Sequence, residues 1–269
     1  MDETDKHNLD SQEEDAIDNA PCILSPKLIV DRIVAKTRLD LNTAHRLLST
    51  SLTEMNLPVS LNNDWEIAIS EENLRNIHLI HFAVASGVNE VLRVTHPDVS
   101  SHSDYVAYIA THLATILGLD QKQAMQIAAT ALTHDVGKIT FPKQFLDPSR
   151  QFTRVDSQVI RAHTVLGGKI LRNGFFPEKF PQVAEEHHEN VDGSGYTKQL
   201  RGEEISIAGR ILRVADSFAA ATDKDRTYKI PLTPEQALED IKKKVGTEYD
   251  AKVVQGLERV FELIKQAPN

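Results

Sequence analysis

Side chains that bind divalent metals recur through the second half of this chain. They are His134 and Asp135 in the segment ATALTHDVGKI, followed by His163, His187, His188 and Asp216. Imidazole and carboxylate ligands spread over helical segments can together hold two metal ions. The only cysteine is Cys22, which excludes an internal disulfide and a thiolate cluster. Any metal must therefore be held by His, Asp or Glu.

The positions of these residues predict that they converge on one buried site. A single histidine on an apolar helical face is usually a packed core residue, so each candidate alone is weak evidence. Asp135 follows the apolar residues Ala131 and Leu132, where a free charge would be costly unless paired or bound. His102 lies one helical repeat before Val106 and points to the same side. Polar residues that repeatedly interrupt apolar faces indicate a shared polar site.

The composition is that of a globular protein with an acidic head. The chain has 269 residues, 41% of them hydrophobic, and a net charge of −9. The first twenty residues hold eight Asp or Glu and one Lys, a balance of −7, so the remainder is nearly neutral. Residues 1–26 are predicted to form a disordered acidic tail, because they lack apolar periodicity and the basic and apolar regions of a signal peptide.

The same composition restricts location and partners. The longest apolar stretch, from Ile77 to Val88, contains His78, His81 and Ser86. It is shorter than the roughly 20 apolar residues that a membrane-spanning helix needs, so we expect no membrane span and a cytoplasmic protein. Neither a basic stripe nor interleaved aromatic residues are present, which argues against binding of polymeric nucleic acid.

Helical periodicity dominates from Pro26 onward and predicts an all-α fold. Residues 27–95 are expected to form a small helical N-terminal module, with a helix capped by Asn42 or Thr43 and another stopped or bent at Gly87. His96–Pro97 marks the predicted boundary, because proline disfavours helix in the residue before it. Residues 96–269 then form the metal-binding domain.

Helix boundaries in the second domain follow from capping residues. We expect helices from about Ser101 to Leu117, after Asp120, from Thr153 or Asp156, from Pro181, from Glu203 to Thr222, after Thr233 and after Asp250.

Five sequence blocks resemble the HD-GYP domain, a branch of the HD phosphohydrolase superfamily. They are HDVGK at 134–138, HTVLGGKIL at 163–171, HHENVDGSGY at 187–196, LRGEEI at 200–205 and RILRVADSF at 210–218. An isolated HD dipeptide occurs by chance, but five blocks in this order and spacing are specific. The resemblance extends over roughly residues 98–265.

This resemblance implies an HD-type helical bundle with a binuclear metal centre. The implied metal ligands are His102, His134, Asp135, His163, His187, His188 and Asp216, with Asp135 bridging the two ions. The implied reaction is hydrolysis of cyclic di-GMP to linear pGpG, and in some members on to GMP, by a metal-bridging hydroxide. Ligands without sulfur suit iron, which the family often uses, or alternatively manganese.

The resemblance also implies substrate contacts. Lys138 matches a catalytic-site lysine that contacts a substrate phosphate, and Arg226 and Lys229 in DRTYK match a motif that grips phosphate or guanine. Gly193, Gly195 and Tyr196 belong to the signature loop.

Four positions depart from the family pattern, and the first is Thr227, which replaces a proline in the motif that contains Arg226 and Lys229. Thr197 replaces the signature proline, and Ala219 stands where a second aspartate is common. Asp98 stands where some members have a glutamate that holds a third metal, so two metals are expected and Asp98 is a candidate extra ligand.

Two other functions stay open. One is hydrolysis of a different cyclic dinucleotide, such as cyclic GMP-AMP. The other, motivated by Thr197 and Ala219, is a catalytically weak signalling module that acts through protein contacts, for example with a diguanylate cyclase domain. The module at 27–95 could serve regulation, dimerisation or docking.

Overall fold

The computed structural model describes residues 23–24, 26–27, 31, 39–55, 57, 59, 61–64, 67–68, 76–147, 149–174, 176–224 and 230–266. Helices dominate these ranges, which confirms the predicted all-α class. Two strands of two residues each, β1 (Ile23–Leu24) and β2 (Ile67–Ala68), pair antiparallel and are too short to alter that class. The predicted acidic tail at 1–26 lies almost wholly outside the described residues.

The described ranges contain α-helices from Leu41 to Gln266, and some of their connections are about twenty residues long. The helices are α1 (Leu41–Glu54), α2 (Ile77–Thr95), α3 (Pro97–Ile116), α4 (Gln121–Thr133), α5 (Arg154–Ile160), α6 (Ala162–Asn173), α7 (Lys179–Glu186), α8 (Ile207–Thr222), α9 (Pro234–Lys242) and α10 (Ala251–Gln266). Three 3-10 helices lie between them, at Val136–Thr140, Lys143–Phe145 and Gly202–Glu204.

Capping side chains start four of these helices as the sequence predicts. Asp120 and Thr153 each form a capping box, with Gln123 and Asp156 respectively, and Thr233 caps α9 in the same way. These side chains satisfy backbone N–H groups that have no partner inside the helix. Asp250 accepts hydrogen bonds from the first backbone N–H groups of α10.

Several expected boundaries are wrong in detail. Asp40, not Asn42 or Thr43, caps α1, since its carboxylate accepts from the Thr43 backbone N–H. Helix α3 begins at Pro97, not Ser101, because proline is favoured in the first turn of a helix. Helix α7 begins at Lys179 rather than Pro181, and α8 begins after the Ser206 cap rather than at Glu203.

Gly87 does not stop its helix, which continues to Thr95. It lies within α2, where a Cβ atom would lie 2.7 Å from Leu48 Cδ2. The absence of a side chain therefore allows α1 to pack closely on α2. Sequence alone does not reveal this contact, since it depends on a distant helix.

One hydrophobic core extends across the predicted boundary at His96–Pro97. Helix α2 packs against α1 on one side and α4 on the other, and α3 packs against α4, α8 and α10. The division into an N-terminal module and a metal-binding domain stays a prediction. Among the helices of the described ranges, none combines the length and apolar character needed to cross a membrane.

Candidate metal centre

The HD pair lies where α4 ends and the chain turns. Helix α4 ends at Thr133, His134 follows as its C-cap, and Asp135 precedes the 3-10 helix Val136–Thr140. Gly137 permits a very close approach to α6, since a Cβ there would lie 2.0 Å from the His163 carbonyl oxygen. This close packing brings the HD pair against the helix that carries His163.

Backbone carbonyls orient three of the histidine rings. The Nδ1 atoms of His134, His163 and His187 lie 2.6, 2.6 and 2.8 Å from carbonyl oxygens three residues earlier, those of Ala131, Ile160 and Ala184. A carbonyl oxygen only accepts, so Nδ1 carries the proton in each ring. The Nε2 atom of each neutral ring is then left with a lone pair, which is the form that binds metal.

Asp135 lies between two groups of these ligands. Its Oδ1 atom is 3.3 Å from His163 Nε2 and 3.8 Å from His187 Nε2. Its Oδ2 atom is 3.3 Å from His134 Nε2 and 3.9 Å from His102 Nε2. The two oxygens of one carboxylate thus face two different pairs of histidines.

Asp216 joins the second group from α8. Its Oδ1 atom is 2.8 Å from His102 Nε2, and its Oδ2 atom is 3.9 Å from His188 Nδ1. Both carboxylates are almost fully buried.

The ligand atoms fall into compact sets that fit metal ions. One set is His163, His187 and His188, another is His102, His134 and Asp216, and a third, His134, Asp135 and His187, overlaps both; within each set the ligand atoms lie within 4.8 Å of one another. The structure therefore brings together all seven predicted ligands.

Unpartnered polar atoms support the fit of a metal to this site. His134 Nε2 and Asp135 Oδ1 are buried without a hydrogen-bond partner among the described residues, which is costly unless a ligand meets them. The Nε2 atoms of His163 and His187 lie 3.1 Å apart although both rings carry their proton on Nδ1. Two lone pairs at this distance repel, and a shared cation would relieve that repulsion.

The electrostatics favour the metal-binding protonation states of His163, His187, His188 and Asp135, but not that of His134. Burial lowers the pKa of His163 to about 4, and burial together with neighbouring histidines lowers the pKa values of His187 and His188 well below their usual range. Burial opposes ionisation of Asp135, but Lys138 and His134 outweigh it and hold the pKa of that carboxyl well below its usual range. For His134, burial is outweighed by the Asp135 carboxylate, so its pKa is raised.

The signature loop lies over this cluster. The Tyr196 ring stacks on His188 with centroids 4.9 Å apart, and the Arg161 Cζ atom lies 4.6 Å from the centre of the tyrosine ring. Gly195 is required by close contact, since a Cβ there would lie 2.3 Å from the Asn190 nitrogen. The Gly193 N–H donates to the Asn190 carbonyl. Tyr196 therefore contacts a predicted ligand directly.

Sequence reasoning missed the buried glutamate that supports this loop. The Glu189 carboxylate accepts hydrogen bonds from the backbone N–H groups of Lys198, Gln199 and Leu200 at 2.6, 3.1 and 3.2 Å. Glu186, a second buried glutamate, instead accepts from the backbone and hydroxyl of Ser206, the cap of α8. The available signal was the acidic residues beside the histidine pair in AEEHHEN, which resemble a solvated run but are buried.

Of the predicted substrate-binding residues, the structure describes Lys138 but not Arg226 or Lys229. Lys138 pairs with Asp135 Oδ2 and lines a cavity of about 600 Å³ that His102 also borders. Asp98 is exposed and lines the same cavity, and it is in none of the ligand sets found in the described residues. Arg226 and Lys229 lie outside the described residues. Ala219 borders the cavity too.

Comparison with known proteins identifies the family. The HD domain profile matches residues 87–253. The chain belongs to the HD domain family. A solved structure from Bdellovibrio bacteriovorus described as an HDG"Y"P protein, Bd1817, has a TM-score of 0.54 at 15% identity, covering 88% of this chain and 77% of that one. At this identity the likeness supports the fold alone.

Several relatives of this chain are named as cyclic dinucleotide phosphodiesterases. The chain is 34% identical over 162 residues to 3′3′-cGAMP-specific phosphodiesterase 2 of Vibrio cholerae, covering 59% of this chain and 30% of that protein. It is 31% identical over 176 residues to the cyclic di-GMP phosphodiesterase of Thermotoga maritima, covering 65% and 48%. It is 33% identical over 164 residues to the cyclic di-GMP phosphodiesterase response regulator RpfG of Xanthomonas campestris, covering 60% and 43%.

These matches confirm the resemblance to HD-GYP proteins and the HD-type bundle expected from it. The chain spans less than half the length of these three relatives.

Proposed function

We propose that this HD protein is a metal-dependent phosphodiesterase that hydrolyses cyclic di-GMP to pGpG. The observation that carries the proposal is the Asp135 carboxylate, whose two oxygens face separate pairs of histidine Nε2 atoms. That arrangement is what a carboxylate bridging two cations requires. We assign one ion to His163, His187 and His188 and the other to His102, His134 and Asp216, with Asp135 shared.

The reaction class follows from this ligand set. Two bound cations would lower the pKa of water and neutralise charge on the phosphodiester. A water oxygen forms a bond to phosphorus while the bond from phosphorus to O3′ breaks, which leaves a 5′-phosphate and a 3′-hydroxyl. Iron is the metal that we favour and manganese the alternative, because imidazole and carboxylate ligands without thiolate suit both.

Lys138 supplies positive charge beside the reacting phosphate. Its ammonium pairs with Asp135, is partly exposed and lines the cavity, so it can reach both the carboxylate and a ligand there. A cation in this position neutralises phosphate charge as a point charge. Arg226 and Lys229 are proposed as further phosphate or guanine contacts on the sequence motif alone, and Asp98 as a ligand for a third metal.

Hydrolysis of cyclic GMP-AMP is a second candidate substrate choice. The observation that favours it is the 34% identity to the Vibrio cholerae enzyme whose name specifies 3′3′-cGAMP. A catalytically weak module that signals through protein contacts, such as with a diguanylate cyclase domain in the cytoplasm, is favoured only by Thr197 and Ala219. The retained ligands count against it, since unpartnered buried polar groups are costly.

The decisive experiment combines metal analysis with product analysis. Purified protein is loaded with iron under anaerobic reducing conditions, or with manganese, and incubated with cyclic di-GMP, cyclic GMP-AMP and pGpG. We expect about two metals per chain and conversion of cyclic di-GMP to pGpG. Bound metal without turnover of any of these compounds would support the weak module instead.

The choice of substrate and the end product are read from the same reactions. Faster turnover of cyclic GMP-AMP than of cyclic di-GMP would identify cyclic GMP-AMP as the preferred substrate. Appearance of GMP from pGpG would show that hydrolysis continues by one further step.

A further inference from the structure

The cavity beside the metal ligands has a second wall that the proposed chemistry does not use. Its lining includes Leu146, Arg150, Phe152 and Ile160 in addition to His102 and Lys138. A volume of about 600 Å³ lies in the range of small-molecule sites, which join an apolar lining to a few polar groups. Residues of this wall can therefore contact a ligand whose phosphate lies at the metal centre.

Aromatic rings hold Arg150 in a defined place on this wall. The Phe145 and Phe152 rings lie with centroids 5.2 Å apart. The Arg150 guanidinium carbon lies 4.7 Å from the Phe145 centroid and 5.7 Å from the Phe152 centroid. A guanidinium over an aromatic face is held by the ring electrons.

An ion pair fixes the guanidinium further. Arg150 Nη2 lies 2.8 Å from Asp156 Oδ1, while Asp156 Oδ2 accepts from the backbone N–H and hydroxyl of Thr153. The carboxylate is therefore itself immobilised at the start of α5. Orienting a guanidinium in advance reduces the entropy lost when it binds a ligand.

Arg150 keeps hydrogen-bonding capacity for a ligand. A guanidinium has five N–H donors, and within the described ranges the Asp156 pair is the polar side-chain contact that the structure shows for Arg150. The side chain is 35% exposed, and Phe152 is 40% exposed. Donors and an aromatic face are thus both accessible from the cavity.

We propose that Arg150 and Phe152 bind one purine base of the dinucleotide and that Arg150 makes this subsite prefer guanine to adenine. This inference rests on the proposed function. Guanine presents two acceptors, O6 and N7, on one edge, and a guanidinium fork meets both, whereas adenine has a donor in place of O6. The Phe152 ring offers a stacking face to either base.

The test compares Arg150→Met and Phe152→Leu in turnover of cyclic di-GMP and cyclic di-AMP. We expect Arg150→Met to lower kcat/KM for cyclic di-GMP about tenfold with little change for cyclic di-AMP, so that the ratio falls about tenfold. Phe152→Leu should lower both values by a similar factor, because stacking does not distinguish the bases.

Arg259→Met is the matched control. Arg259 is an exposed arginine on α10 that borders a groove with Ile116, and Ile116 is roughly 20 Å along α3 from His102 at 1.5 Å rise per residue. It should change neither value. Metal content and thermal unfolding are measured for each variant, and if Arg150→Met does not fold, Arg150→Lys replaces it because it keeps the charge beside Asp156 but lacks the planar fork.

Equal losses on the two substrates in Arg150→Met would overturn the proposal, since they indicate a phosphate contact or a general structural role. Unchanged values would overturn it as well. If the wild type hydrolyses neither substrate, the proposed function fails separately, and calorimetric binding of pGpG and pApA then tests Arg150. Tighter binding of pGpG that Arg150→Met abolishes upholds the subsite, and equal binding of both by the wild type rejects it.

Discussion

Two regions of the described chain contain buried histidines whose ring nitrogens have opposite surroundings. In the metal centre, His163 and His187 each donate from Nδ1 to a backbone carbonyl and direct Nε2 at each other and at Asp135. On α2, His81 is 4% exposed, and neither of its ring nitrogens has a hydrogen-bond partner among the described residues. Its ring meets the Phe180 ring edge to face at 5.7 Å.

The contrast shows that burial of a histidine does not by itself mark a metal site. His81 packs as an aromatic ring. It belongs to none of the groups of possible metal ligands found among the described residues. At the metal centre, a tethered Nδ1 fixes the tautomer and several lone pairs converge. Histidine rings that are tethered through Nδ1 and whose Nε2 lone pairs converge therefore identify the functional region.

Replacing the Asp135 carboxylate should have the largest effect of the changes considered, because it lies between both groups of histidines. In Asp135→Asn the bridging charge is lost and an amide donor faces the histidine lone pairs, so we expect bound metal to fall below two per chain and turnover of cyclic di-GMP to fall on the order of 10³-fold. Metal analysis and initial rates measure the two effects. Asp240→Asn, on the exposed face of α9, should change neither, and a fully metallated, active Asp135→Asn protein would exclude the bridging role.

Removing the metal should destabilise the region with convergent ligands. Metal that binds only the native state at about a thousandfold excess over Kd contributes about 4 kcal/mol, so chelation should lower Tm by roughly 10 °C. Calorimetry with and without a chelator measures the shift. His81→Leu should retain the shift while His163→Ala loses most of it, and an equal shift in both variants would contradict the assignment of the two regions.

Much of this contrast could be predicted from sequence, although its physical cause could not. The seven ligands were predicted because each interrupts an apolar helical face and because five motif blocks match one family. The Nδ1 tethers use backbone carbonyls, which carry no residue-specific signal. The roles of Gly87 and Glu189 depend on contacts with distant segments, and the wall at Arg150 lies in a segment without helical periodicity.

We expect His81, in the second of the two regions, to make the stability of the protein depend on pH. Burial, and to a lesser extent His78, lowers the pKa of His81 to about 4 from 6.5. Between these values the unfolded chain binds a proton that the native protein does not, so this group lowers the free energy of unfolding by about 3 kcal/mol as pH falls from 6.5 to 4. Above pH 6.5 the group has no such effect.

His81→Leu should remove that part of the pH dependence, with unfolding by denaturant at pH 7 and pH 4.5 as the measurement. Removing two unpartnered buried nitrogens should leave stability at pH 7 unchanged or higher. His112→Gln, at an exposed position on α3, should keep the wild-type dependence. A His81→Leu protein that still loses as much stability on acidification would show that His81 is protonated in the native state or hydrogen-bonded there.

The smallest effect is expected from a change in the loop that covers the ligands, which should alter turnover but not metal binding. Glu189→Gln removes the charge that accepts three backbone N–H groups of the loop, so the position of Tyr196 over His188 should loosen and turnover should fall about tenfold. Metal content should stay at the wild-type value, because His134, His163 and His187 are tethered by carbonyls that this change does not touch. Glu203→Gln, which is exposed on the same stretch of chain, is the matched control. If metal is lost together with activity, the loop and the ligands form one unit, and tethering by Nδ1 is insufficient to hold the site.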